Sequence, residues 1–169
     1  MTRASDTAKL LGAGATILDG TTISTADNTS QLTLTSTDAD SSLGPQLDFK
    51  RNSASPADND LLGRINFIGK NDADEDVEFF IIRVKNTDVS DGAEDADIAI
   101  RSMIAGTSTS RINIRNTEIG INEDGIDLDF RVESNNNAFM LVVDGGTDNV
   151  LIGTGTVRNG GLLSIDFNS

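Results

Sequence analysis

Apolar and polar residues alternate with a period of two along much of this chain. The clearest case is residues 126–133, where every even position is apolar and every odd position is charged. Alternation of this kind predicts a half-buried β-strand with one dry face and one wet face. The same pattern predicts strands around five further apolar pairs: Leu32 and Leu34, Leu47 and Phe49, Ile65 and Phe67, Ile98 and Ile100, and Ile112 and Ile114.

Two stretches are apolar without interruption, residues 79–82 and residues 139–143. A continuous apolar run of this length is typical of a strand that is covered on both faces, by a second sheet or by another subunit. We expect these runs, together with the strand after residue 126, to supply the core. The expected core residues, of the sheet or of a trimer, are Phe79, Ile81, Phe130, Phe139, Leu141 and Val143.

Turn signals separate the predicted strands at short intervals. Asp-Gly between alternating runs is the strongest short-range signal for a β-hairpin. The hairpin-type sequences here are Asp19-Gly20, Asp91-Gly92, Asp124-Gly125, Asp144-Gly145-Gly146 and Asn159-Gly160-Gly161. With roughly ten to twelve short strands, the sequence predicts an all-β fold of antiparallel strands, either a β-sandwich or a trimeric fibre-like module.

Only the N-terminal segment favours a helix. Ser5 and Asp6 suit an N-cap, and the glycines that follow Leu11 would end the helix within ten residues. A helix this short needs a surface to dock on, in its own trimer or on a partner, and the alternative is a frayed terminus. The predicted organisation is a helical or extended arm at residues 1–14 and a β-rich body at residues 15–169, with sub-modules 15–125 and 126–169.

The amino-acid composition excludes several kinds of catalytic site, metal site and partner. The 169 residues contain no His and no Cys, which excludes a Ser-His-Asp triad, a thiol nucleophile and His- or Cys-ligated zinc. The net charge of −14 repels phosphate backbones, so we expect no nucleic acid partner. No apolar run approaches the about 18 residues of a membrane span. With seven Phe and no Trp or Tyr, a core shared between chains is favoured over a monomer.

The acidic stretch with Asp72, Asp74 and Asp76 is the strongest candidate for a metal site. Its spacing resembles the first half of an EF-hand calcium loop, which needs Gly at the sixth position and Glu at the twelfth. Here those positions hold Val77 and Arg83, so the match fails. Two interpretations stay open: a looser calcium site, and a solvated acidic turn that discourages sheet edges from joining. We assign no cofactor.

A pair of carboxylates on one strand face, Asp127 and Asp129, could serve glycoside hydrolysis, because two acidic groups are the machinery of that reaction. The alternative is an exposed strand face on which Arg131 alternates with carboxylates. A hydrolase also needs a walled cleft, and this chain has few large side chains to build one. We therefore expect no catalytic residues and a protein that is not an enzyme.

Three stretches of the chain carry distinctive strand and turn patterns. The main one is residues 126–153, IDLDFRVESNNNAFMLVVDGGTDNVLIG, in which a DFRVES strand is followed by a polar turn, an apolar strand, VDGG and a strand ending in Ile-Gly. The others are residues 3–11, RASDTAKLL, and residues 61–72, LLGRINFIGKND. All three resemble stretches of tail fibres and related appendage proteins of tailed phages, particularly marine ones.

The resemblance implies a structural protein on the surface of a virion, usually a homotrimer, with a role in host attachment. Its partners would be other copies of itself, further tail or capsid proteins and a host surface glycan. The arm would anchor a fibre or spike to the particle through Arg3, Ser5, Asp6, Leu10 and Leu11. The alternative that we carry is an Asp-rich, calcium-dependent surface adhesin.

Overall fold

The structure, a computed structural model, describes residues 20–153 and 163–165, the last three as backbone only. In these residues it is all-β, which confirms the predicted class, and it contains no helix there. The chain divides into two units, Met1–Asp48 and Phe49–Ser169. All nine strands lie in the second unit. The predicted arm, residues 1–14, lies outside the described residues.

Five strands form an antiparallel meander in which each strand pairs with the next one along the chain. The turns between them are short, and two of them, at residues 71–75 and 91–92, fall where polar turn residues predict them, as does the turn at residues 124–125 that follows the fifth strand. The strands are β1 (Leu61–Lys70), β2 (Asp76–Asp88), β3 (Asp95–Ile104), β4 (Thr107–Ile114) and β5 (Ile119–Ile121).

A second, smaller sheet follows. Strands β6, β7 and β8 are antiparallel, and β9 pairs with β8 in parallel. The Asp144-Gly145-Gly146 turn joins β7 to β8, as its sequence predicts. The strands are β6 (Phe130–Val132), β7 (Leu141–Asp144), β8 (Asn149–Ile152) and β9 (Leu163–Ile165).

The buried interior of the described residues is small. Leu151 and Val142 are buried in the second sheet, and Ala99 is the one buried apolar side chain of the first. Three polar residues, Thr109, Ser110 and Asn149, are buried as well. The described part of one chain therefore buries few of its large apolar side chains, although the two sheets contain many.

Residues 126–129 do not form a strand, although they belong to the most regular alternation in the sequence. The Leu128 N–H donates to the Ile126 carbonyl at 2.8 Å, which bends the chain. The Asn122 side chain holds Ile126 on both sides, donating to its carbonyl at 2.8 Å and accepting from its N–H at 3.1 Å. These bonds replace ladder pairing, and only Phe130–Val132 is left as strand β6.

The alternating residues 32–35 and 47–50 are also outside any strand, and residues 20–50 are exposed throughout. A strand needs a neighbour to accept and donate its backbone hydrogen bonds. Among the described residues no other segment pairs with these two. Alternation alone therefore did not suffice to build strands here.

Candidate interaction surface

One row of isoleucines crosses the whole five-stranded sheet. Residues that pair directly across antiparallel strands lie on the same face of a sheet. The register pairs Ile65 with Ile82, Ile82 with Ile100, Ile100 with Ile112, and Ile112 with Ile121. Each strand thus contributes one isoleucine to an unbroken row on one face.

Parallel rows extend this face in both directions along the strands. The register aligns Val84, Ile98, Ile114 and Ile119 on one side of the isoleucine row, and it pairs Phe67 with Phe80 on the other. We call this surface the apolar face; its members are Ile65, Phe67, Phe80, Ile82, Val84, Ile98, Ile100, Ile112, Ile114, Ile119 and Ile121.

The apolar face is open in the single chain. Phe67 is 56% exposed and Ile119 is 69% exposed, and none of the eleven side chains is fully buried. Eleven positions of about 4.8 Å by 7 Å each give an area of roughly 370 Å². Soluble monomers rarely expose a larger contiguous apolar patch, and patches of this size are often functional.

The second sheet extends the apolar surface. Phe130 pairs with Val143, and Val132 pairs with Leu141, so these side chains share one face. A cavity of about 290 Å³ lies where Ile119 and Ile121 approach Phe130 and Val143. Open apolar side chains of both sheets therefore meet at this cavity.

The opposite face of the five-stranded sheet is charged. Arg64 pairs with Glu78 at 3.2 Å, Lys85 lies 3.6 Å from Asp97, and Arg101 lies 3.8 Å from Asp124. We call this surface the charged face. The sheet thus has one face suited to water and one suited to another apolar surface.

The predicted core residues fall in different environments. Phe130, Leu141 and Val143 lie on the open apolar side of the second sheet, where Leu141 is half-buried and the other two are exposed. Phe79 sits at a bulge in β2, with its ring against Gly69.

The other two predicted core residues contact charged groups. Ile81 lies on the charged face, because it pairs with Asn66 and Arg101. The guanidinium of Arg131 lies 5.5 Å from the ring centroid of Phe139, a cation–π distance.

The predicted metal candidates lie in and beside the turn between β1 and β2. Lys70 is close to two of them: its Nζ is 3.7 Å from Asp74 Oδ1 and 3.1 Å from Asp76 Oδ1. Its Nζ also donates to the Asp74 carbonyl at 2.8 Å. The described residues contain no group of three acidic side chains placed to hold a metal ion.

The carboxylates considered for glycoside hydrolysis lie beside the turn between β7 and β8. Asp129 Oδ1 accepts a hydrogen bond from the Gly145 N–H at 3.1 Å. Gly146 leaves no room for a side chain, because a Cβ there would lie 2.7 Å from Asp127 Oδ1. The hydrogen bond gives Asp129 a structural role in holding the turn, whereas Asp127 packs closely against Gly146.

The attachment residues predicted in the arm, from Arg3 to Leu11, lie outside the described residues. No helix in the described part of the chain has the length and apolar character needed to cross a membrane. Comparisons with protein-family models, curated proteins and solved structures found no match to this chain.

Proposed function

We propose that this chain is a non-enzymatic structural protein of a phage particle, which forms a homotrimeric fibre or spike. One observation carries the structural part of the proposal: the apolar face of the five-stranded sheet is open in the single chain. Association of copies would bury it, and each buried large side chain contributes about 1.5–3 kcal/mol. The sequence resemblance supports the virion location, the assembly of three chains and an anchoring role for residues 1–14.

The size of the surface supports self-association. A stable interface buries about 800 Å² on each partner. The apolar face supplies roughly half of that by its estimated area. The exposed apolar side chains of the second sheet, including Phe130, Val132 and Val143, add to it.

Two isoleucines of β1 offer a matched test. Ile65 lies on the apolar face and is 42% exposed, whereas Ile68 pairs with Glu78 on the charged face and is 58% exposed. We expect light scattering to give the mass of a trimer for the wild-type chain and for Ile68→Lys, and a lower mass for Ile65→Lys. Both variants add the same charge to the same strand.

A clean monomer for the wild-type chain at micromolar concentration would refute the assembly. Equal masses for the two variants would refute the assignment of the interface to the apolar face. The particle location needs its own test: immunogold labelling of purified phage particles with an antibody against this chain should decorate the tail or the capsid surface. Unlabelled particles that lack the protein by mass spectrometry would refute it.

A further inference from the structure

The charged face contains a cavity of about 240 Å³. Ala99 and Ser110, two small buried side chains, form its floor between longer charged neighbours. The volume is below the about 300 Å³ at which pockets for drug-sized molecules begin, so the cavity suits a ligand of about one ring. Four cations line it: Arg83, Lys85, Arg101 and Arg115.

Two of these cations are held by strong contacts. Arg115 Nη2 lies 2.9 Å from Glu123 Oε1, and this hydrogen-bonded pair keeps the pKa of Glu123 below its usual range. Arg101 donates to the Ser108 carbonyl at 2.6 Å and faces Asp124 at 3.8 Å. These guanidinium groups are therefore committed to neighbours within the protein.

Arg83 is different. Among the residues that the structure describes, its guanidinium makes no hydrogen bond and no ion pair. Its cross-strand neighbours are Ala99 on β3 and Arg64 on β1, and neither side chain can accept a hydrogen bond from its guanidinium. A guanidinium presents two parallel N–H donors that match a carboxylate or a sulfate. Arg83 is therefore the one arginine of this cavity that is available to a ligand anion, in a chain of net charge −14.

The remaining lining can accept hydrogen bonds. Asp97 forms an ion pair with Lys85 at 3.6 Å, which is longer than a hydrogen bond, and its side chain accepts no hydrogen bond from the described residues. Its carboxylate oxygens are therefore open to hydroxyl donors. An unpaired guanidinium, that of Arg83, and a carboxylate that accepts no hydrogen bond, that of Asp97, thus line one small polar cavity.

We propose that this cavity binds a small hydroxy-carboxylate, with the ligand carboxylate on Arg83 and a ligand hydroxyl donating to Asp97. The site lies on the charged face, opposite the surface proposed for assembly. It does not rest on the assembly, because every residue that it uses belongs to one chain.

Ligand-observed saturation-transfer NMR on the full-length protein can test this site, since the method tolerates weak binding and large assemblies. The probe is D-glucuronate, a single ring with one carboxylate and several hydroxyls. D-Glucose has the hydroxyls without the charge, and acetate has the charge without the ring. We expect transfer to glucuronate with a dissociation constant of about 1 mM, and much weaker transfer to the other two.

Arg83→Gln should weaken glucuronate binding about tenfold or more, because it removes a charge-assisted hydrogen bond. Arg131→Gln is the matched control: it makes the same charge change on the second sheet, where Arg131 pairs with Glu133, and it should leave binding unchanged. Binding that survives in Arg83→Gln, or no transfer to glucuronate in the wild-type protein, would overturn the proposal. If acetate or glucose binds as tightly as glucuronate, the assignment of the ligand class is wrong.

Discussion

Phe67 on β1 and Phe80 on β2 meet edge to face, with ring centroids 5.7 Å apart and planes inclined at 70°. Phe80 is half-buried, whereas its partner is 56% exposed. Such aromatic pairs contribute about 0.5–1.5 kcal/mol beyond the burial of their surface. This pair lies at one corner of the apolar face and leaves one surface of the Phe67 ring exposed, which a second copy would cover in the proposed assembly.

If copies of the chain cover Phe67, thermal stability must depend on protein concentration, because association stabilises the folded state by mass action. We expect a hundredfold increase in concentration to raise the Tm by roughly 5 °C or more. In Phe67→Ala the dependence should be weaker. Phe139→Ala is the control, because it removes an exposed ring that lies outside the five-stranded sheet. In differential scanning calorimetry, its Tm should depend on protein concentration as steeply as that of the wild-type chain.

A wild-type Tm that is independent of concentration would contradict this prediction. If Tm depends on concentration equally in the wild-type chain and in Phe67→Ala, the interface lies elsewhere.

The turn between β3 and β4 carries strain at a specific residue. Ala105 and Gly106 both have positive φ, at 44° and 79°, as a type I′ hairpin turn requires. Alanine is poorly suited to this conformation, whereas Asn adopts it readily. Ala105→Asn should therefore raise the free energy of unfolding by about 0.5–1 kcal/mol.

Chemical denaturation can measure the effect of Ala105→Asn. Ala96→Asn, within strand β3, is the control and should lower stability, because Asn is unfavourable in strands. A loss of stability in Ala105→Asn would mean that this turn conformation is wrong.

Gly145, in the turn between β7 and β8, has no space for a side chain. A Cβ there would lie 2.6 Å from the carbonyl oxygen of Leu128 and 2.8 Å from its nitrogen, both backbone atoms. Gly145→Ala should therefore lower the free energy of unfolding by roughly 1–3 kcal/mol, since the turn must move away from Leu128. Gly44→Ala, where a Cβ meets nothing within 4 Å, should change it by less than about 0.5 kcal/mol. Equal effects of the two substitutions in urea denaturation would contradict the close approach.

The hydrogen bond between Arg115 and Glu123 predicts a pH effect. It lowers the pKa of Glu123 below its ordinary value of 4.5 in the folded protein. A lowered folded-state pKa contributes stability that is present above the unfolded value and is lost as the pH falls through the folded value. Glu123→Gln should therefore lower the Tm at neutral pH, and the difference from the wild-type chain should shrink as the pH falls below 4.5.

Glu94→Gln is the control for this titration, because Glu94 makes no ion pair within the described residues. Its Tm should follow that of the wild-type chain at every pH. A difference between Glu123→Gln and the wild-type chain that stays constant on acidification would contradict the role of the pair.

The strands of the first sheet could be predicted where alternating residues have a neighbouring strand to pair with. The pairs Ile65 and Phe67, Ile98 and Ile100, and Ile112 and Ile114 all lie in strands, as their period of two predicts. Residues 126–129 show the limit of the pattern, because the Asn122 side chain and the close approach of Gly145 hold them in a turn. The Asn122 contact spans only four residues but does not interrupt the alternation, and the Gly145 contact is tertiary and has no local signal.

The isoleucine row was not predicted, although every residue in it is visible in the sequence. Alternation assigns Ile100 and Ile112 to a face of their own strands, but only the register shows that they are neighbours. The register depends on the Ala105-Gly106 turn, which lacks the Asp-Gly or Asn-Gly signature, and on a bulge after Ile100. The continuous run 79–82 was similarly ambiguous, since a bulge at Phe79 interrupts its alternation.

Strand β1 has a further consequence for how copies of this chain could join. Its register with β2 shifts twice, between Leu61 and Gly63 and between Phe67 and Ile68, and the Arg51 guanidinium donates to the Leu61 carbonyl at 3.0 Å. An irregular, partly capped edge is a poor template for strand addition, the route by which sheets polymerise without limit into amyloid. In the proposed assembly, copies would therefore join through the faces of their sheets and not by adding strands at the β1 edge.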